Sequence, residues 1–109
     1  MATLTVQASA LTGTTPSFVA VAASDVFAND GRTVIEVKNA GGTQDVVTIA
    51  AQSTCNQGTA HDSVTTVPIT TGDKVIGPFE PTRFNNASGQ VTVAHSFTTS
   101  VTCAVIRLP

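Results

Sequence analysis

Glycine and proline interrupt this chain at short intervals of roughly 8 to 15 residues. Both residue types break helices and strands, so no regular element of the fold can be long. The interrupting positions are Gly13, Pro16, Asp30-Gly31, Gly41-Gly42, Gly58, Pro68, Gly72, Gly77-Pro78, Pro81 and Gly89. Such spacing is typical of β-sandwiches and β-barrels.

The segments between these breaks are rich in valine and threonine, whose branched side chains fit the pleated surface of a strand. In Thr33–Asn39, Ile35 and Val37 share one face while Glu36 and Lys38 share the other, which is the period of two of a half-buried strand. The other segments predicted as strands are 26–28, 45–50, 64–70, 73–76, 90–97 and 101–108, and 4–7 and 18–22 are brief candidates near the N-terminus. A short helix is the alternative for the alanine-rich stretch 18–28, although Pro16 and the interspersed valines favour a strand.

The connections between strands predict how they pair. Thr33–Asn39 and 45–50 are predicted to form a hairpin across Gly41-Gly42, and a Thr71-Gly72 turn joins 64–70 to 73–76. Strands 90–97 and 101–108 are predicted to form a terminal antiparallel hairpin across Thr98-Thr99. Seven or eight short strands in one domain of 109 residues predict an all-β, antiparallel, two-sheet sandwich of jelly-roll type.

The charge content limits the function classes. Charged residues make up 11% of the chain, against roughly 25% in ordinary soluble domains. A net charge of −2 gives no basic surface for nucleic acid, and no apolar stretch is long enough to span a bilayer. The start at Met1 lacks the features of a secretory signal, so we expect synthesis and folding in a cytosol unless a signal has been removed.

The polar surface is built mainly from threonine, serine and asparagine instead of charged residues. These short side chains lose little entropy when they are immobilised, and a weakly charged surface has little self-repulsion. We therefore expect a homo-oligomer or a component of an assembly.

No residue pattern predicts catalysis, a cofactor or a metal site. Cys55 and Cys103 are expected to be free thiols, and their combination with His61 and His95 lacks the close spacing of zinc ligands. The triplet 61–63 contains His, Asp and Ser, but adjacent residues of an extended chain point in opposite directions, so it is interpreted as a polar loop.

His95 is in register with Val91 and Val93, which predicts a partly buried, hydrogen-bonded side chain near the end of a sheet. All five phenylalanines are assigned mainly to the core: Phe18, Phe27, Phe79, Phe84 and Phe97.

Several motifs cover most of the chain from Phe27 onward. They are FANDGRT at 27–33 with VKN at 37–39, GPF at 77–79 with Pro81, RFNN at 83–86, GQVTV at 89–93, TSVT at 99–102 and AVIRL at 104–108. Together they resemble small proteins encoded among the head genes of tailed bacteriophages, the capsid decoration or cement proteins of β-sandwich type. The pattern differs from that family at His95, where an aromatic residue is expected.

The resemblance implies a structural virion protein. Such a protein would bind the outside of an expanded phage head, at the outer surface of the virion, and tie neighbouring major capsid protein subunits together. Its partners would be the major capsid protein and copies of itself, as a dimer or a trimer. The alternative is a tail or fibre-associated adhesion module that binds a host surface glycan, which predicts exposed aromatic or carboxylate clusters at one end of the sandwich. A small hydrolase or metal enzyme would require His61, His95 and the cysteines to converge.

Three regions are candidates for the capsid or subunit interface. In residues 1–15, Leu4, Val6 and Leu11 are spaced by small polar residues, as in an arm that adds a strand to a partner's sheet; the alternative is a first strand of the domain 16–109 itself. The second region comprises Arg32, Arg83 and Arg107, whose planar guanidinium groups suit carboxylates on a partner, with solvated turn charges as the alternative. The loop 51–62 is the third.

Overall fold

The computed structural model describes residues 2–54, 56–58, 61–70 and 72–108, and these contain ten strands and one single-turn helix. In chain order the strands are β1 (Ala2–Thr3), β2 (Val6–Ala8), β3 (Val19–Ala20), β4 (Ser24–Ala28), β5 (Thr33–Asn39), β6 (Asp45–Ile49), β7 (Ser63–Val67), β8 (Gly72–Ile76), β9 (Gln90–His95) and β10 (Val101–Arg107). The helix α1 (Pro81–Phe84) lies between β8 and β9. No helix among the described residues has the length and apolar character needed to cross a membrane.

The strands form two sheets. Sheet A has the order β1-β4-β9-β6-β7, and sheet B has the order β2-β10-β5-β8 with β3 also paired to β10. β1 and β2 run parallel to their partners, whereas the other pairs are antiparallel. From β3 to β10 the chain changes sheet at every connection except the one between β6 and β7, which is a jelly-roll arrangement.

The predicted all-β, two-sheet sandwich is therefore confirmed. The structure has ten strands where seven or eight were predicted, partly because residues 2–8 form two short strands on different sheets instead of one. The stretch 18–28 forms strands β3 and β4, so the helical alternative is wrong.

Both predicted hairpins are wrong. β5 belongs to sheet B and β6 to sheet A, and β9 and β10 are likewise on different sheets. Alternating side chains identify which residues face the core, but they are the same whether the chain turns back in its own sheet or crosses to the other one. The hairpin in this fold joins β6 to β7 around residues 50–62. Thr71 of the predicted turn lies outside the described residues, and Gly72 is the first residue of β8.

A buried asparagine directs the crossing from β5 to β6. The Asn39 side chain donates to the carbonyl oxygen of Thr43 at 2.9 Å and accepts the N–H of Gly41 at 2.9 Å. A Cβ atom at Gly41 would lie 2.6 Å from the carbonyl oxygen of Thr99, in the connection between β9 and β10. The two crossings are thus packed together at one end of the sandwich, which requires glycine at position 41.

The core lies between the two sheets and is made mainly of valine and isoleucine. One end is closed by aromatic contacts, with Phe79 packed between Phe27 at 5.8 Å and Phe84 of α1 at 5.7 Å between ring centroids. Phe27, Phe79 and Phe84 are buried as predicted, while Phe18 and Phe97 are half-buried. The sandwich is flat, measuring 39 × 35 × 20 Å.

Candidate interaction surfaces

The outer face of sheet A carries uncharged side chains. Strand registers place every second residue of β4, β6, β7 and β9 on this face, and all of these residues are half-buried or exposed except Val26, which is buried. We call these ten residues the uncharged face: Ser24, Val26, Ala28, Val46, Thr48, Val64, Thr66, Gln90, Thr92 and Ala94. Thr48 lies near its centre, because it is in register with Val64 on one side and with Ala94 on the other. Val64 is 61% exposed, so apolar surface on this face is open to contact.

The outer face of sheet B is different because it carries charges of both signs. Glu36 and Lys38 alternate with the inward residues of β5, and Asp73 is in register with Lys38. The Lys38 ammonium nitrogen lies 4.3 Å from the centroid of the Phe18 ring, a cation–π contact that covers part of this face. The two broad sides of the sandwich therefore differ in kind.

Two acids interact on the outer face of sheet B. The pKa of Glu36 is raised, chiefly by a hydrogen bond with Asp73, with contributions from burial and from the Asp73 charge, while Lys38 opposes the shift. The direction follows because a neighbouring negative charge disfavours ionisation of Glu36.

The first predicted interface region is part of the domain's own sheets. β1 pairs with β4 and β2 pairs with β10, so residues 2–8 match the alternative of a first strand. Leu4 is buried in the core and Val6 packs against it, whereas Leu11 is fully exposed on the turn closed by the Gly13 N–H to Ala10 carbonyl bond. Leu11 is thus the member of the three whose side chain is free for a partner. Met1 lies outside the described residues.

Two of the three candidate arginines surround one aspartate. Arg32 and Arg107 lie 3.6 Å and 3.9 Å from the Asp30 carboxylate, and all three side chains are about half exposed. The pKa of Asp30 is lowered, first by the backbone N–H of Arg32 and then by the two guanidinium charges. Exposed pairs of this kind contribute little to stability, so both arginines keep donors available to a partner.

Arg83 lies in a different place, at a polar cleft beside helix α1. Its Nη2 atom donates to the carbonyl oxygen of His61 at 2.6 Å, and this bond links α1 to the predicted loop region 51–62. The cleft has a volume of about 450 Å³ and is lined by Ser53, Thr54, His61, Glu80, Thr82 and Arg83. The structure therefore does not bring the three arginines together as one patch.

The candidates for chemistry are separated. His61 is exposed at the cleft, whereas His95 is buried, with its Nδ1 atom 2.6 Å from Asp45 Oδ2. The predicted hydrogen bond of His95 is confirmed: its Nδ1 atom bonds Asp45, while its Nε2 atom has no hydrogen-bond partner among the described residues. Burial, followed by the nearby Asp25 charge, raises the pKa of the free Cys103 thiol to about 11. Cys55 lies outside the described residues.

The uncharged face is the feature that sequence reasoning missed. In the sequence, its members occupy the positions that alternate with the inward-facing valines. These positions were considered in each strand separately. Only the strand order shows that the four sets adjoin on one side. No protein-family model, curated protein or solved structure matches this chain.

Proposed function

We propose that this protein is a structural virion component, a capsid decoration or cement protein that binds the outside of a phage head and stabilises contacts between major capsid protein subunits. The observation that carries this proposal is the uncharged face of sheet A. The resemblance of the sequence motifs to phage head proteins points to the same function.

The uncharged face is physically suited to a protein interface. Burying it would leave no charge to desolvate, and its threonine, valine and alanine side chains lose little rotamer entropy. The broad side of the sandwich extends over 39 × 35 Å, so it is large enough to contain the about 800 Å² that each partner buries in a standard interface, with the uncharged face as part of that area. One side of the domain can therefore support a specific contact.

The candidate charged groups lie outside the uncharged face. Arg32 and Arg107 present partly exposed guanidinium groups around Asp30, outside the uncharged face. Rim charges set orientation and association rate more than affinity, so carboxylates on a capsid subunit are the expected partners for these two arginines. Contacts between copies, as a dimer or a trimer, would add to those with the capsid protein.

The test is binding to expanded heads that lack the decoration protein. The wild-type chain should co-sediment with these heads, saturate at a copy number compatible with icosahedral symmetry, and raise their melting temperature. Thr48→Glu places a charge at the centre of the uncharged face and should weaken binding at least about ten-fold, because the charge must be buried without a partner.

The matched control is Thr102→Glu. Thr102 is half-buried on the outer face of sheet B, in register with Lys38, which can accommodate a carboxylate. This variant should bind as the wild type does. Absence of binding by the wild-type chain would refute the proposed function, and equal losses for both variants would refute the uncharged face as the contact.

Glycan binding is the second candidate, and the polar cleft is the observation that favours it. Its lining combines the opposite charges of Arg83 and Glu80 with the hydroxyls of Ser53, Thr54 and Thr82, which suits a neutral, hydroxyl-rich ligand. Host-derived oligosaccharides should then shift the NMR resonances of Thr82 and Arg83, and Arg83→Ala should abolish the shifts. If no host oligosaccharide changes these resonances, the candidate fails.

A further inference from the structure

The two parallel strands at the start of the chain close the same side of the sandwich. β1 covers the edge of β4 in sheet A, the chain crosses at Leu4, and β2 then covers β10 in sheet B. We call residues 2–8 the strap. It fills the edges of both sheets at once, so its removal would open two strand edges side by side.

The strap covers the edges of both sheets, but few contacts hold it there. Its strands are two and three residues long, and among the described side chains of residues 3–18 only that of Leu4 is buried. An open cavity of about 530 Å³ lies beside the strap, and its lining includes Leu4 and Gln7 of the strap and Cys103 and Val105 of β10. A cavity of this kind forfeits packing contacts, so the strap detaches at lower cost than the inner strands.

A connection without strands joins the strap to the body. Residues 9–18 form no strand, and most of their side chains are exposed. These ten residues can span roughly 30 Å when extended, which is comparable with the dimensions of the domain. In the structure the strap lies on its own chain, and the Gln7 side chain helps to hold it there. Gln7 Nε2 donates to the Ser17 carbonyl oxygen at 2.9 Å, and Gln7 Oε1 accepts the Ser17 N–H at 2.8 Å.

Nothing electrostatic opposes docking of a strap on another copy. The first 24 residues of the chain contain no charged side chain, so a second strap approaches without repulsion or unpaired charge. The edges of β4 and β10 already bind this sequence in the register seen here, and the same contacts form when the strap comes from a neighbouring copy.

We infer that the strap is exchanged between copies of this chain, with residues 2–8 of one copy docking on β4 and β10 of another. In dilute solution the ten-residue connection gives the copy's own strap an effective concentration in the millimolar range, which favours the closed monomer. When copies are held together at a millimolar local concentration, a neighbouring copy's strap competes with the copy's own strap, and the copies exchange straps. This inference is independent of the proposed function, since it concerns only the purified chain.

The test uses disulfide trapping between two differently tagged chains. Ala8 and Arg107 are register partners, and both are exposed. One chain carries Ala8→Cys and the other Arg107→Cys, each with Cys55→Ser and Cys103→Ala, so that a heterodimeric disulfide in native register requires strap exchange. After incubation at about 1 mM and oxidation, this heterodimer should exceed the control at least about ten-fold.

The control pairs the Arg107→Cys chain with a Val64→Cys chain, because Val64 is 61% exposed on the opposite sheet and reports random collision. Heterodimer formation no faster than in this control overturns the inference. If Cys103→Ala prevents folding, Cys103 is retained and the cross-linked peptides are identified by mass spectrometry. A disulfide joining residues 8 and 107 of different chains then supports exchange, and its absence refutes it.

Discussion

Removing the carboxylate of Asp45 should be among the most damaging single changes in this protein. Both side chains of the Asp45–His95 pair are completely buried, and Asp45 accepts hydrogen bonds from His95 Nδ1 at 2.6 Å and from the Phe97 N–H at 3.2 Å. Asp45→Ala leaves one buried donor, His95 Nδ1, and one partly buried donor, the Phe97 N–H, without partners. At about 1 to 3 kcal/mol for each, the free energy of unfolding should fall by about 4 kcal/mol.

This loss is large compared with the total stability of about 5 to 15 kcal/mol expected of a small domain. The chain has no tryptophan or tyrosine, so urea unfolding is best followed by far-UV circular dichroism. The control is Asp62→Ala, which removes an exposed carboxylate that accepts the Ala51 N–H at 2.8 Å. It should cost less than about 1 kcal/mol, because water can replace the lost acceptor.

A double-mutant cycle separates the pair from its surroundings. Asp45→Ala, His95→Ala and the double variant should give a coupling energy of about 1 to 3 kcal/mol. A loss below about 1 kcal/mol for Asp45→Ala, or an equal loss for Asp62→Ala, would refute the reasoning that burial makes this carboxylate important.

Three further predictions concern single positions. Because the pKa of Cys103 is raised to about 11, only about one Cys103 thiol in a thousand is ionised at pH 8. Iodoacetamide should therefore label the Cys103 peptide far more slowly in the native chain than in urea. Equal labelling rates would contradict this prediction. Glu36→Gln should stabilise the protein by about 0.2 to 1 kcal/mol at pH 7, and this gain should vanish near pH 4. The reason is that a carboxyl group with a raised pKa in the folded state makes the protein less stable as the pH rises through that pKa. A variant that is less stable than the wild type at pH 7 in urea unfolding would be inconsistent with the Asp73 contact. Gly72→Ala would place a Cβ atom against the Pro68 carbonyl oxygen and should lower Tm by more than about 8 °C, whereas Gly42→Ala, with no atom within 4 Å, should change Tm by less than about 4 °C. Similar Tm values for the two variants would exclude the clash.

The sequence predicted strand positions well where the alternation was long. Thr33–Asn39 was predicted with the bounds that the structure has, and β9 and β10 differ from prediction by only one or two residues at their ends. These strands face the core on one side, so the period of two follows directly from burial. His95 was predicted as a partly buried, hydrogen-bonded side chain for the same reason, and the structure buries it completely.

Strand pairing was not predictable in the same way. Whether β5 continues into β6 as a hairpin or as a crossing depends on long-range contacts, such as the bond from Asn39 Nδ2 to the Val67 carbonyl at 3.3 Å. The uncharged face was missed because it depends on four strands that are distant in the sequence. Local patterns specify which residues face inward, while sheet order depends on tertiary packing.

The jelly-roll connectivity has a consequence for biosynthesis. β10 lies inside sheet B between β5 and the short strands β2 and β3, although it follows them by about 60 to 100 residues in the chain. Sheet B therefore cannot assemble until residues 101–107 have left the ribosome. Until then one edge of β5, including the backbone of Ile35 and Val37, has no strand to pair with. The nascent chain is expected to depend on protection from aggregation during synthesis, and sheet B is expected to be completed only after β10 emerges.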